Sequence, residues 1–125
     1  MLQIFRTMML MILFTGNVFA SEEAFTQPVF DRLQQQGASI LVSIHADWCP
    51  TCRAQDPIIK KLLEKSDFKT VHALRVDFDQ QKDIVKEFKA IKQSTLIVFK
   101  GGKEIDRSLG ETDEQAIEVL LKKAL

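Results

Sequence analysis

The sequence predicts an α/β protein of three layers, a mixed four- to five-stranded sheet between two layers of helices. Three observations predict it. Three short apolar segments rich in β-branched residues, 39–46, 70–77 and 95–100, read as strands. Segments with 3.6-residue apolar periodicity lie before, between and after them. A Gly101-Gly102 pair directly after the third strand marks a hairpin into a fourth. Strands separated by helices need right-handed crossovers, and a closing hairpin makes the sheet mixed.

The first helix is predicted over 26–36. Phe25, Val29 and Leu33 fall four apart, Pro28 suits a first turn and Gly37 suits the stop. The run SILVSIHA, 39–46, is apolar on both faces and predicts a parallel, central strand. A helix over 50–65 carries the stripe Ala54, Ile58 and Leu62, with Pro57 interrupting it. TVHALRVD, 70–77, alternates as a second strand, and 80–88 reads as a helix with Ile84, Val85 and Phe88 on one face. TLIVFK, 95–100, and KEIDRSL, 103–109, form the hairpin. Thr112 and Gln115 have the spacing of a capping box for a last helix ending near Ala124. Phe25, Phe30, Phe78, Phe88 and Phe99 are assigned to the core.

Residues 1–20 are read as separate from this domain. Arg6 precedes an apolar stretch from Met8 to about Phe14, and Val18 and Ala20 occupy the positions that a signal peptidase reads. Gly16 and Asn17 interrupt the run, which is short of the ~20 residues that a membrane-spanning helix needs. A signal peptide cleaved after Ala20 is expected, leaving 21–125 as one domain; a retained membrane anchor is the alternative. Ser21 at the next position excludes a lipoprotein cysteine there.

The chain has 17 basic and 17 acidic residues and no charged tail, so nothing in its charge draws it to nucleic acid. Only two cysteines occur, Cys49 and Cys52, in DWCPTCRAQDP. Four chemistries compete for them. Haem attachment requires a histidine directly after the second cysteine, and Arg53 stands there. A structural zinc site normally takes four ligands, and only His45 and His72 remain as further soft donors. A copper(I) site can use two thiolates. A structural disulfide closing so short a loop removes little unfolded-chain entropy. The fourth, redox exchange, fits the placement best. Cys49 falls where a strand meets a helix, and unpaired N–H groups of the first helical turn favour a thiolate there. Cys52, one turn on, is placed to resolve a mixed disulfide on Cys49, and Pro50 suits the first helical position.

These residues resemble the thioredoxin family. ILVSIHADWCPTCRAQDPII is similar to that family's central strand, active-site loop and kinked helix, including Trp48 before the first cysteine and Pro57 five residues after the second. STLIVFKGGKE is similar to the strand-turn-strand that follows, with Gly110 beyond it. The resemblance covers about residues 37–125, and the family's opening strand is short or missing here. It implies a cofactor-free thiol-disulfide oxidoreductase, with Cys49 as exposed nucleophile and Cys52 as buried resolving thiol. With the export reading, it implies a monomer in the bacterial periplasm, or secreted, that acts on disulfides or thiols of other exported proteins and exchanges electrons with a membrane redox partner. A non-enzymatic copper(I) or other metal-handling module, or an interaction module, on the same fold is the alternative.

Three departures from the family bear on the site. Ser94 stands before Thr95 where the family has a cis-proline, so either a trans bond with a reshaped loop or a strained cis bond is expected. Ser43 stands where many reducing members bury an acid. His45 stands where relatives often carry an aromatic, and an imidazolium beside the thiols would favour the thiolate. Thr51 lies between the cysteines, and Arg53 and Asp47 flank them with opposite effects on that thiolate.

Overall fold

A computed structural model describes residues 21–125. The signal-peptide expectation concerns residues 1–20, which lie outside the described residues.

The chain begins with a two-residue strand β1 (Glu23–Ala24), followed by α1 (Gln27–Gln35), β2 (Ser39–His45) and α2 (Pro50–Leu63). A 3₁₀ turn (Ser66–Phe68) leads to β3 (Val71–Asp77), α3 (Lys82–Glu87), β4 (Thr95–Lys100), β5 (Lys103–Leu109) and α4 (Glu114–Lys122). The five strands form one sheet in the order β1-β3-β2-β4-β5. β1, β3 and β2 run parallel, while β4 pairs antiparallel with β2 and β5 antiparallel with β4. The mixed sheet and the central place of β2 agree with the sequence reading. All seven residues of β2 are buried, as its unbroken apolar run requires.

Each face of the sheet buries a separate core. Leu41, Leu96 and Val98 pack against Ile59, Leu62 and Leu63 of α2 and against Ile117 and Leu121 of α4. On the other face Ile40, Val42, Ile44 and Ile97 meet α1 and α3. There Phe25, Phe30, Phe88 and Phe99 form a ring cluster, with the Phe30–Phe88 and Phe30–Phe99 pairs edge-on at 5.3 and 5.2 Å. Edge-on contacts set the positive ring edge against the negative ring face and add about 0.5–1.5 kcal/mol per pair beyond burial. Gly101 and Gly102 both have positive φ, +61° and +77°, the backbone that the tight β4–β5 turn demands.

Element ends differ from the sequence reading for local reasons. α3 starts at Lys82 rather than residue 80, because the Asp77 carboxylate accepts from the N–H groups of Asp79 and Gln80 and holds them in a turn. α4 is capped by Asp113, whose side chain accepts from the Ala116 N–H, and not by Thr112. The helix predicted to residue 65 ends at Leu63, and the 3₁₀ turn Ser66–Phe68 that follows buries Phe68.

Candidate functional site

β2 is the strand at which the sheet changes direction, with parallel β3 on one side and antiparallel β4 on the other. Its C-terminal end opens into Ala46–Trp48 and then α2. Ligand sites of open α/β sheets lie at such ends. Cys49 is the N-cap residue of α2, and its Sγ accepts from the Cys52 N–H at 3.1 Å. Pro50 follows at the first helical position, where a missing N–H costs nothing.

Both cysteines are unbonded and buried, each 1% exposed, and they pack with Ala46 and Phe78. For Cys49 this corrects the exposed nucleophile that the family resemblance implied. The sulfur is enclosed by its own hydrogen-bond donors. Burial alone would raise its pKa. Hydrogen bonds from the Cys52 thiol and N–H, from the Gln93 side chain and from the Thr51 N–H outweigh that, and the Cys49 thiol lies below its ordinary value. Cys52 is pushed up to about 11, first by burial and then by sharing its proton with Cys49. One thiol is thus poised to ionise and its neighbour to hold a proton.

The remaining predicted residues separate into two groups. Thr51 donates its N–H to the nucleophile, the buried Ser94 backbone meets Cys52, Thr95 is buried with its hydroxyl donated to the Lys92 carbonyl, and Trp48 stands at the rim, 57% exposed, with its indole N–H donated to Asp79 at 2.6 Å. Arg53 is exposed and makes no ion pair among the described residues. His45 and Ser43 do not serve the nucleophile. The ring nitrogens of His45 face carboxylates, Nε2 at 2.9 Å from Asp47 and Nδ1 at 3.6 Å from Asp56, and not the sulfurs. The imidazole expected beside the thiolate is therefore turned toward Asp47 and Asp56. The Ser43 hydroxyl donates to Glu22 at 2.5 Å, and Glu22 also pairs with Arg75. The acid absent from β2 is present next door, brought by β1.

Ser94 resolves the question of the missing proline. Its peptide bond is trans, since no cis bond occurs among the described residues, and its φ is +60°. A left-handed conformation costs a non-glycine residue roughly 1–2 kcal/mol, so neighbours must hold it. The Ser94 N–H donates to the Ile44 carbonyl at 2.7 Å, and the Ser94 carbonyl accepts from the Gly110 N–H at 3.0 Å. Buried Gln55 of α2 donates to the Ser94 carbonyl at 3.2 Å and to the Glu111 carbonyl at 2.9 Å.

Gln55, Asp56 and Gln93 were missed by sequence reasoning. The signal for the first two is present. They lie between Cys52 and Ile59 on the inward stripe of α2, where polar side chains need partners. Gln93 had no signal beyond its place next to Ser94. Replacing Gln55 by leucine removes two hydrogen bonds from inside the site and is expected to cost about 1–3 kcal/mol. A denaturant midpoint lowered at unchanged slope measures that cost.

Comparison with known proteins agrees with this architecture. The family model described as Thioredoxin matches residues 18–123. The thioredoxin of Coprinus comatus is 34% identical over 96 residues, covering 77% of this chain and 90% of that protein. Mouse mitochondrial thioredoxin is 32% identical over 95 residues, 76% of this chain, and the match spans only 57% of that longer protein. Among solved structures, the crystal structure of Trxlp from Edwardsiella tarda EIB202 is 36% identical with a TM-score of 0.79, covering 81% of this chain and 98% of that one. With a family match running from residue 18 to residue 123, and a structure of that identity sharing the fold, the chain belongs to the thioredoxin family.

Proposed function

We propose that the protein is an exported thiol-disulfide oxidoreductase, exchanging disulfides with protein thiols through the Cys49–Cys52 couple. The observation that carries the reading is the asymmetry of the pair. Cys49, at the N-cap of α2, is below the ordinary thiol value, and Cys52 is at about 11. The thiolate is the attacking species in disulfide exchange. Cys49 attacks a partner disulfide, the partner's leaving sulfur departs with the electron pair, and a mixed disulfide forms. Cys52 then attacks Cys49 Sγ, and the partner's second sulfur leaves as a thiol. The protein is left oxidised and the partner reduced; the reverse sequence oxidises a partner. The Gln93 side chain faces the nucleophile and the Ser94 backbone faces Cys52.

The export part of the proposal rests on residues 1–20. Its substrates would be disulfides or thiols of other exported proteins, and a membrane redox partner would restore the couple. Sequencing the N-terminus of protein recovered outside the cytoplasm is expected to begin at Ser21. An N-terminus at Met1 in a soluble cytoplasmic fraction overturns that part.

The exchange part is tested by alkylation. As pH rises, the rate follows the thiolate fraction, so a lowered thiol pKa brings the plateau to lower pH. Iodoacetamide is expected to modify Cys49 with a midpoint below the usual ~8.5 of free cysteine, while Cys52 stays unmodified through neutral pH. A Cys49 midpoint at or above the free value contradicts the mechanism. The couple's potential against glutathione then places the protein on the family range of roughly −270 to −120 mV.

A further inference from the structure

Gln55 has no part in the exchange steps above, yet it is a polar residue buried on α2, three positions after Cys52. Its Nε2 donates to carbonyls of two separate turns, Ser94 at 3.2 Å and Glu111 at 2.9 Å. The Gly110 N–H reaches the same Ser94 carbonyl at 3.0 Å. These bonds hold residue 94 at its φ of +60°. In that conformation the Ser94 N–H donates to the Ile44 carbonyl at 2.7 Å, and the Cys52 thiol donates to the same oxygen at 4.0 Å. The Ser94 N–H and the Cys52 sulfur thus meet at one acceptor. Two N–H groups face that sulfur and favour its charge, those of Ala46 and Ser94. A proline at position 94 would bring no N–H, so the second donor exists because serine stands there.

We propose that Gln55 is a positioning residue for the resolving cysteine: by fixing the Ser94 turn it holds the Ser94 N–H against Cys52 Sγ, where that N–H stabilises the charge the sulfur carries as it attacks or leaves. The inference rests on the dithiol reading above. While Cys52 is a thiol, its hydrogen is directed to the Ile44 carbonyl. Once the proton is gone the sulfur becomes an acceptor, and the Ser94 N–H is shared between it and the Ile44 oxygen as a three-centre bond. Burial pushes Cys52 up to about 11, so a donor aimed at its thiolate has much to offset. The titratable group acting on Cys52 is Cys49, which opposes the charge. His45 of β2 is directed to Asp47 and Asp56.

In resolution, Cys52 gives its proton to solvent and its electron pair forms the bond to Cys49 Sγ. The bond from Cys49 to the partner sulfur breaks, and the partner leaves as a thiolate that solvent protonates. In the reverse direction a partner thiolate attacks Cys49 Sγ, and the Cys49–Cys52 bond breaks with its electron pair on Cys52, which then takes a proton from solvent. Both directions place charge on the same sulfur, facing the same N–H.

Reduced protein mixed with 5,5′-dithiobis(2-nitrobenzoate) separates the two sulfurs. The first coloured thiolate reports attack by Cys49, and the second reports Cys52 resolving the mixed disulfide. Gln55→Met keeps the side-chain length and removes the donor. It is expected to slow the second release about 3- to 10-fold near neutral pH, since losing a hydrogen bond to a charged sulfur lowers the thiolate fraction and the higher basicity returns part of the rate. The pH profile of the second release should move to higher pH. The first release should stay unchanged, because the Thr95 hydroxyl on the Lys92 carbonyl at 2.7 Å holds Gln93 from its other side. Ile117→Val, in the core beneath α4, is the control: it lowers stability and should leave both releases alone. Where Gln55→Met folds poorly, replacing the Gln93–Ser94 amide by an ester through protein ligation removes the N–H with Gln55 intact, and should slow the second release in the same way. A second release in Gln55→Met that is unchanged, faster or slowed no more than the first overturns the positioning role, and so does an ester at 94 that resolves at the wild-type rate. A wild-type protein that releases only one equivalent overturns the dithiol reading itself, and this role with it.

Discussion

Replacing Cys49 by serine is expected to reduce disulfide exchange to the rate without protein, whereas replacing Cys52 by serine is expected to stop the reaction halfway. The two effects differ because the two sulfurs do different work. Four hydrogen bonds that favour charge converge on Cys49: from the Cys52 thiol and N–H, the Gln93 side chain and the Thr51 N–H. A serine hydroxyl in the same place would stay protonated and is a far weaker nucleophile toward sulfur. Cys52→Ser keeps the attacking thiolate, and the serine hydroxyl can still donate to it. The variant should therefore accumulate a mixed disulfide with its partner, visible as an added mass that a reducing agent removes. If Cys49→Ser retains exchange, or if Cys52→Ser turns over normally, the assignment of roles is wrong. Substitution by serine is nearly isosteric, so a circular-dichroism spectrum matching the wild type excludes misfolding as the cause.

The parts of this fold legible in the sequence are those whose signal is local. The apolar run of β2, the cysteine spacing at a strand-to-helix junction and the Gly101-Gly102 turn each carry their own physics. The parts that were not legible depend on partners distant in sequence. β1 has only two residues, Glu23–Ala24, too few for any periodicity, and it exists because β3 offers Leu74 and Arg75 to pair with. His45 was expected to act on the thiols because it stands where relatives of the family often carry an aromatic. In a strand buried on both faces, periodicity does not say what a side chain meets. The answer came from α2, which carries Asp56 to the same side of the sheet. Ser43 likewise looked like the loss of an acid. Seen with β1 in place, it is a hydroxyl that binds one.

Installing proline at position 94, the residue that the family resemblance leads one to expect there, is predicted to destabilise this protein by about 3 kcal/mol or more. Proline fixes φ near −65° and has no N–H, but Ser94 holds φ at +60° and donates its N–H to the Ile44 carbonyl at 2.7 Å. The substitution therefore loses a buried hydrogen bond, leaves the Ile44 carbonyl without that donor and demands a backbone rotation. That rotation would pull the Ser94 carbonyl away from Gly110 and Gln55. For a domain of about this size, 1 kcal/mol shifts Tm by roughly 4–8 °C, so a fall on the order of 12 °C or more is expected. Ser94→Gly isolates the backbone term, because glycine accepts positive φ freely and keeps the N–H. It is expected to stay within about 1 kcal/mol of the wild type. A Ser94→Pro variant as stable as the wild type would mean that the loop adopts another conformation at no cost, and that Gln55 and Gly110 do not hold it. If the loss occurs as expected, serine at 94 is part of a matched set. The hydrogen bonds that hold its backbone also set the Ser94 main chain against Cys52, so restoring the family's residue alone cannot restore the family's loop.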